Sequence, residues 1–290
     1  MPDIDIRYSV AGDLPALAAL WDVCFPGEEG FRAYYFSRVW QPGYTLVQAD
    51  GEGLVAAMLH LLPVEVCVGG AVLQAAYVYA VGTAPEYRRR GLAGELLEQA
   101  FFELHLRSIP LALTIPQDEK LSRYYAGYGF ATVYTPPVAA ATSLSMRGTR
   151  VTESDLPALC TLYSAAMGGR AHVRRSPEDF GHILAEAELA GGGILITAGG
   201  NGYTVYEREG EGLKAREDSD NMESRMEGMM RVIDARACFG ALSLELPPSI
   251  EDECCPWNNR ETEGEPPVGE RELCGLLLGG AELYLGILHN

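Results

Sequence analysis

The chain has 290 residues, 48% of them hydrophobic, and a formal net charge of −18. No run approaches eighteen uninterrupted apolar residues and the opening MPDIDIRYSV lacks the basic and apolar regions of a secretory signal, so neither a transmembrane helix nor a membrane partner is expected. Nine basic side chains stand against fifteen acidic ones up to residue 145, and thirteen against twenty-five beyond it, which excludes the broad basic surface that nucleic acid needs.

Cys24, Cys67, Cys160, Cys238, Cys254, Cys255 and Cys274 are scattered, odd in number and without a C-x-x-C pair. The five histidines add no metal-ligand spacing to them. A reduced, cytoplasmic protein without a metal site is expected, its thiols serving as small buried hydrophobes. The acidity suits a cationic small molecule or a basic peptide as partner, although solubility alone accounts for it equally well.

In chain order, RYSVAGDLPALAALW from Arg7 reads as a short strand running into an Asp-Pro helix start and an apolar-periodic helix. A second helical stretch follows over about 28–40. YTLVQADGEGLVAAMLHLL is a hairpin with Asp50-Gly51 in its turn, and VLQAAYVYAVGT is the next long strand. Leu92, Leu96, Leu97, Ala100, Phe101 and Leu104 then recur at helical spacing. Past Pro110, LALTI reads as a buried strand, and DEKLSRYYAGYGF as a short helix ending at Gly127 or Gly129.

The pattern then repeats. RVTESDLPALCTLY from Arg150 echoes the start of the chain, and D-L-P-A-L occurs at both 13–17 and 155–159. A helical stretch over about 176–190 and a hairpin around Asn201-Gly202 follow, as in the first copy, which points to a duplication. The glycines of GGGILITAGGNG open no helix, so they read as turn chemistry rather than a dinucleotide loop. EDSDNMESRMEG (217–228) is linker-like, and MMRVIDARACFGAL and ELCGLLLGGAEL lie beyond it.

The segment that carries chemistry is YAVGTAPEYRRRGLAGELL: a strand, a proline turn, Arg88-Arg89-Arg90-Gly91-Leu92-Ala93, and an apolar helix. A loop delivered into a helix N-terminus aims unpaired N–H groups and the positive dipole end at one point, an anion site that suits a pyrophosphate. Gly91 and Ala93 keep side-chain bulk away from it, and the arginines add charge at its rim.

These residues resemble the acetyl-CoA loop of the GNAT acyltransferases, Arg/Gln-x-x-Gly-x-Gly/Ala, matched by Arg88, Gly91 and Ala93. YYAGYGF (124–130) matches the family's Tyr-x-x-x-Gly-Phe segment through Tyr125, Gly129 and Phe130. The resemblance implies an α+β GNAT fold, a mixed and mostly antiparallel sheet flanked by helices. It implies acetyl-CoA as cosubstrate, held by Val81, Gly82, Thr83, Arg88, Arg89, Arg90, Gly91, Leu92 and Ala93. It also implies direct acetyl transfer to a primary amine of a small molecule or peptide, with Tyr125 as the acid that protonates the leaving thiolate. Tyr124 and Tyr128 read as aromatic core.

The two-copy layout resembles the "enhanced intracellular survival" (Eis-like) branch of the family. That implies a GNAT domain over 1–146, a degenerate GNAT-like domain over 147–222, a shortened sterol-carrier-like α/β region over 223–290, and a homo-oligomer. Two further catalytic candidates come with it. Glu28 lies where acceptors often bind in the family and reads equally as an ordinary acid in a helix's first turn. Asn290 bears the terminal carboxylate that acts as a base in that branch. The alternative function is a non-catalytic GNAT-fold acyl-CoA or ligand-binding protein.

Overall fold

The computed structural model describes residues 5–50, 53–134, 148–210, 212–219 and 228–243. β1 (Asp5–Tyr8) runs through a 3-10 turn (Ala11–Asp13) into α1 (Leu14–Cys24) and α2 (Glu29–Arg38). Asp13 does not cap α1 directly. Its carboxylate accepts the Val10 N–H (2.7 Å) and the Arg7 guanidinium (2.6 Å), closing the turn that launches the helix. β2 (Thr45–Ala49), β3 (Val55–Val68) and β4 (Ala71–Thr83) form an antiparallel meander. α3 (Leu92–Leu106) crosses over to β5 (Leu111–Thr114), which lies parallel to β4. α4 (Glu119–Ala126), capped by Asp118, leads to β6 (Ala131–Tyr134).

The second half repeats the first in order. β7 (Gly148–Arg150) runs through a 3-10 turn (Glu153–Asp155) into α5 (Leu156–Met167); β8 (His172–Val173) is a two-residue addition before α6 (Pro177–Leu189). β9 (Gly193–Thr197), β10 (Tyr203–Glu209) and β11 (Gly212–Asp218) make a second meander. Its sheet order, β11-β10-β9-β7, mirrors β4-β3-β2-β1 of the first sheet. Glycine demands are specific here: a Cβ on Gly191 would strike the Arg208 side chain, and Gly191 itself is left-handed (φ +73°).

The last described elements, β12 (Gly228–Val232) and α7 (Ala235–Ala241), return to the first half. β12 sits between β5 and β6, antiparallel to both, so the first sheet runs β1-β2-β3-β4-β5-β12-β6. Met229 and Met230 are buried in it. A segment placed by sequence beyond the second half therefore completes the first sheet. β8 pairs with the outer edge of β3 at Val66 and Cys67, tying the halves together.

β4 alternates as a strand buried on both faces must. Leu73, Ala75, Tyr77 and Tyr79 face a core built with α1 and α2; Ala76 and Val78 face the one built with α3 and α4. α3 buries Leu96, Leu97, Ala100, Phe101 and Leu104, the set predicted from helical spacing apart from half-buried Leu92. Each leucine or phenylalanine of that set contributes about 1.5–3 kcal/mol by leaving water. No helix among the described residues is long and apolar enough to cross a membrane. The linker-like 217–228 and the apolar ELCGLLLGGAEL fall largely or wholly outside the described residues.

Candidate active site

β4 changes character over its last residues. Its pairing with β3 is regular up to His60↔Tyr79, then resumes at Met58↔Gly82, so three steps of β4 oppose two of β3. This β-bulge is centred on Ala80, a non-glycine residue held at φ +45°. On its other edge β4 pairs with β5 only from Ala75↔Leu111 to Tyr77↔Leu113. Beyond that point the two strands part, and the Thr114 hydroxyl bridges to Val78 O (3.2 Å) at the fork. Val81, Gly82 and Thr83 thus lie on a strand end with backbone groups directed into a wedge rather than a ladder.

The loop after this strand is wound for anion binding. Pro85–Tyr87 makes a 3-10 turn, Arg89 is left-handed (φ +63°), and Gly91 is left-handed (φ +90°) at the N-cap of α3. The first i→i−4 bond of the helix is Glu95 N–H to Gly91 O (3.0 Å), so the amides of Leu92, Ala93 and Gly94 precede the ladder and point out of the helix end. Left-handed turns joined to a helix start form a concave set of N–H donors that favours a phosphate group.

The three arginines divide their work. All three are exposed. Arg90 donates to Glu86 O (2.8 Å) and stacks 5.1 Å from the Tyr87 ring, which braces the turn. Arg88, exposed like the other two, donates its Nε to Thr83 O (3.0 Å), and its charge opposes the burial that raises the neighbouring Cys24 thiol.

Tyr125, on α4, is buried against Phe130 and Tyr124, with ring centroids 5.6 Å from each. It reaches the fork between β4 and β5 at Thr114. Burial pushes its phenol up to about 12, the Thr114 hydroxyl acting weakly in the opposite sense. A group so placed keeps its proton at neutral pH. Tyr124 and Tyr128, half-buried, pack with each other (5.0 Å), and the Tyr128 hydroxyl lies against the Cα of Gly94. Gly94 is a requirement that the motif's Gly91 and Ala93 did not announce.

On the opposite face of β4, an aromatic wall surrounds the bulge. Tyr79 lies 5.6 Å from Tyr35 and 5.9 Å from Trp21, ring to ring. His60, wholly buried, shares its Nδ1 with the hydroxyls of Tyr35 and Thr45, each at 3.0 Å. Glu28 is the N-cap of α2, half-buried, and its carbonyl accepts the Arg32 N–H (2.7 Å). The Tyr79 phenol is raised well above its usual range, by burial first and then by the neighbouring Tyr77 and Tyr35 and the charges of Glu186 and Glu28. Sequence reasoning did not single out Tyr79, one of several tyrosines along an apolar strand. Asn290 lies outside the described residues. Among the described residues no cluster of His, Cys, Asp and Glu could hold a metal ion.

Comparison with known proteins bears on the fold that carries this geometry. Residues 5–133 match the family model described as an acetyltransferase (GNAT) domain. No curated protein matches the chain significantly. Among solved structures, a GCN5-related N-acetyltransferase from Kribbella flavida superposes with a TM-score of 0.63 at 15% identity, covering 83% of this chain and 74% of that one. One from Anabaena variabilis gives 0.61 at 17%, covering 82% and 75%. Eis1 from Mycobacterium abscessus gives 0.55 at 16%, covering 81% and 75%. These three likenesses establish the fold across both halves, the mixed and mostly antiparallel sheet flanked by helices that the sequence led us to expect. Over residues 5–133 the chain is similar to the GNAT acetyltransferase domain, and its fold is the one those solved structures share.

Proposed function

We propose that the protein is an acetyl-CoA-dependent N-acetyltransferase that transfers the acetyl group directly to a primary amine on a cationic small molecule or peptide. One observation carries this reading. A single strand, β4, ends in a bulge and a fork from β5, then feeds a left-handed loop into a helix N-terminus, with a buried phenol at the fork. The loop amides suit the pyrophosphate, the fork suits the extended pantetheine arm, and the bulge amides suit the thioester oxygen.

The chemistry follows from those positions. A neutral amine attacks the thioester carbonyl from the Tyr79 face, and backbone N–H groups at the bulge stabilise the oxyanion. The C–S bond then breaks with its electron pair on sulfur. Tyr125 gives its proton to that sulfur, and the nitrogen's proton returns through solvent to the phenolate. One further proton, lost when the ammonium form of the acceptor becomes neutral, goes to solvent or to Glu28. Acetyl-CoA supplies the activated acyl group; the protein supplies placement and the acid.

The same reading takes 147–222 as a degenerate second copy: the segment from β11 to β12 contains no Arg-x-x-Gly-x-Gly/Ala. The shared strand order of the two sheets supports a duplication, and the likeness to Eis1 supports the Eis-like branch. A 1–146, 147–222, 223–290 division is retained with the qualification that β12 serves the first sheet. A crystal structure with acetyl-CoA tests the proposal. The pyrophosphate should contact the Leu92–Gly94 amides and the sulfur should face Tyr125. Cofactor bound elsewhere, or with its sulfur turned from the fork, would sink it.

A further inference from the structure

Three residues form one row across the first sheet, just before the bulge. Thr45 of β2 pairs with His60 of β3, and His60 pairs with Tyr79 of β4. The next residue of β4 is Ala80, held at φ +45°. Alanine does not take that conformation by itself, so the structure around the row must impose it.

His60 is the hub of that surrounding structure. It is wholly buried, and its Nδ1 lies 3.0 Å from the Tyr35 hydroxyl of α2 and 3.0 Å from the Thr45 hydroxyl. One nitrogen thus ties a helix and the neighbouring strand to β3 beside the bulge. Tyr35 carries the tie across to β4, its ring 5.6 Å from Tyr79 and 4.9 Å from Trp21. The other ring nitrogen, Nε2, has no hydrogen-bond partner among the described residues. Trp21 and Phe36 stand edge-on to the imidazole, at centroid distances of 6.0 and 6.3 Å. A side chain that only filled this space would do so better as phenylalanine, with no buried nitrogen left unpaired. Burial holds the imidazole down at about 3, so it stays neutral and is too weak a base to take a proton from an amine. What His60 offers the site is geometry.

We propose that His60 is a positioning residue for acetyl transfer: through Nδ1 it locks α2 and β2 to the row beside the bulge, and so holds Ala80 left-handed with the bulge amides set for the thioester oxygen. The inference deepens the acetyltransfer reading and rests on it. Wholly buried, His60 acts through its neighbours rather than by touching either cosubstrate. Without the lock, β4 is free to relax toward regular pairing. Losing the extra residue of the bulge would turn Val81, Gly82 and Thr83 to the opposite faces of the sheet.

The test measures kcat for acetylation of 1,4-diaminobutane, and acetyl-CoA affinity by calorimetry. His60→Phe keeps an aromatic ring but loses Nδ1. Its kcat should fall roughly ten- to a hundredfold, the cost of misplacing an oxyanion donor, while acetyl-CoA affinity holds because the loop before α3 is untouched. Glycine takes φ +45° without strain, so the same His60→Phe change should cost several-fold less in an Ala80→Gly background. A merely structural histidine would cost the same in both. If His60→Phe does not fold, Tyr35→Phe takes one hydroxyl from Nδ1, keeps its ring, and carries the same two-background comparison. Unchanged kcat in the folded variant, or an equal loss in both backgrounds, overturns the inference while acetyl transfer stands. Wild type that binds acetyl-CoA yet transfers no acetyl group overturns both.

Discussion

Replacing Tyr125 with Phe removes one hydroxyl from the fork between β4 and β5 and leaves the ring on Phe130 and Tyr124. The group lost touches Thr114, so the stability cost is that of one hydrogen bond, about 1 kcal/mol. The catalytic cost is set by what the proton does. If it reaches sulfur in the transition state, kcat falls by roughly ten- to a thousandfold, about 1.4–4 kcal/mol, while acetyl-CoA affinity holds. The lower end is expected, because a thiolate leaves without much help. Steady-state release of free thiol, with cofactor affinity from calorimetry, separates the two quantities. Tyr128→Phe is the internal control: its hydroxyl rests on Gly94, away from the fork, so its kcat should stay near wild type. Full activity in folded Tyr125→Phe would refute the acid role and leave the helix only structural.

Gly91→Glu should abolish acetyl-CoA binding in a folded protein, since it forces a side chain into a left-handed N-cap and puts negative charge at the phosphate site; unchanged affinity by calorimetry would remove the loop from the mechanism. The pH profile of kcat should show no alkaline fall through pH 10. The Tyr125 phenol, raised to about 12, stays protonated there, and the stability from its neutral form is complete below about pH 10 and lost only as pH rises through about 12. An alkaline limb near pH 9 would assign the acid to another group. A fragment of residues 1–146 should fail to fold alone, because β5 and β6 have β12 between them, yet should bind acetyl-CoA when co-expressed with 147–290; a folded lone fragment by circular dichroism would show that β12 is dispensable. Residues 147–290 alone should bind no acetyl-CoA, and measurable binding would mean that the two halves have been assigned backwards.

Local signals in the sequence reached far into this fold. The D-L-P-A-L echo marked both helix starts, and the leucine spacing after Gly91 gave α3 and its buried face. The glycine turn in the second half was legible because no helix opens after it, and a strand, β10, does follow. Non-local features were not legible. The sequence of β12 reads as a strand but names no partner, and its place between β5 and β6 depends on chain that folds in between. Ala80 at φ +45° has no compositional mark, because alanine does not choose that conformation; the surrounding sheet imposes it. The run of arginines signalled exposure, but the bond from Arg88 to the Thr83 carbonyl had no mark in the sequence.

The central claim is transfer of an acetyl group from CoA to an amine, and free-thiol release from acetyl-CoA tests it most directly. Wild-type protein should release CoA thiol slowly alone and faster, in a saturable way, with a cationic primary amine, the acetylated amine appearing in equal amount. Tight acetyl-CoA binding with no amine-dependent release across diamines, polyamines and basic peptides would contradict it and leave a GNAT-fold protein that holds its ligand without turnover.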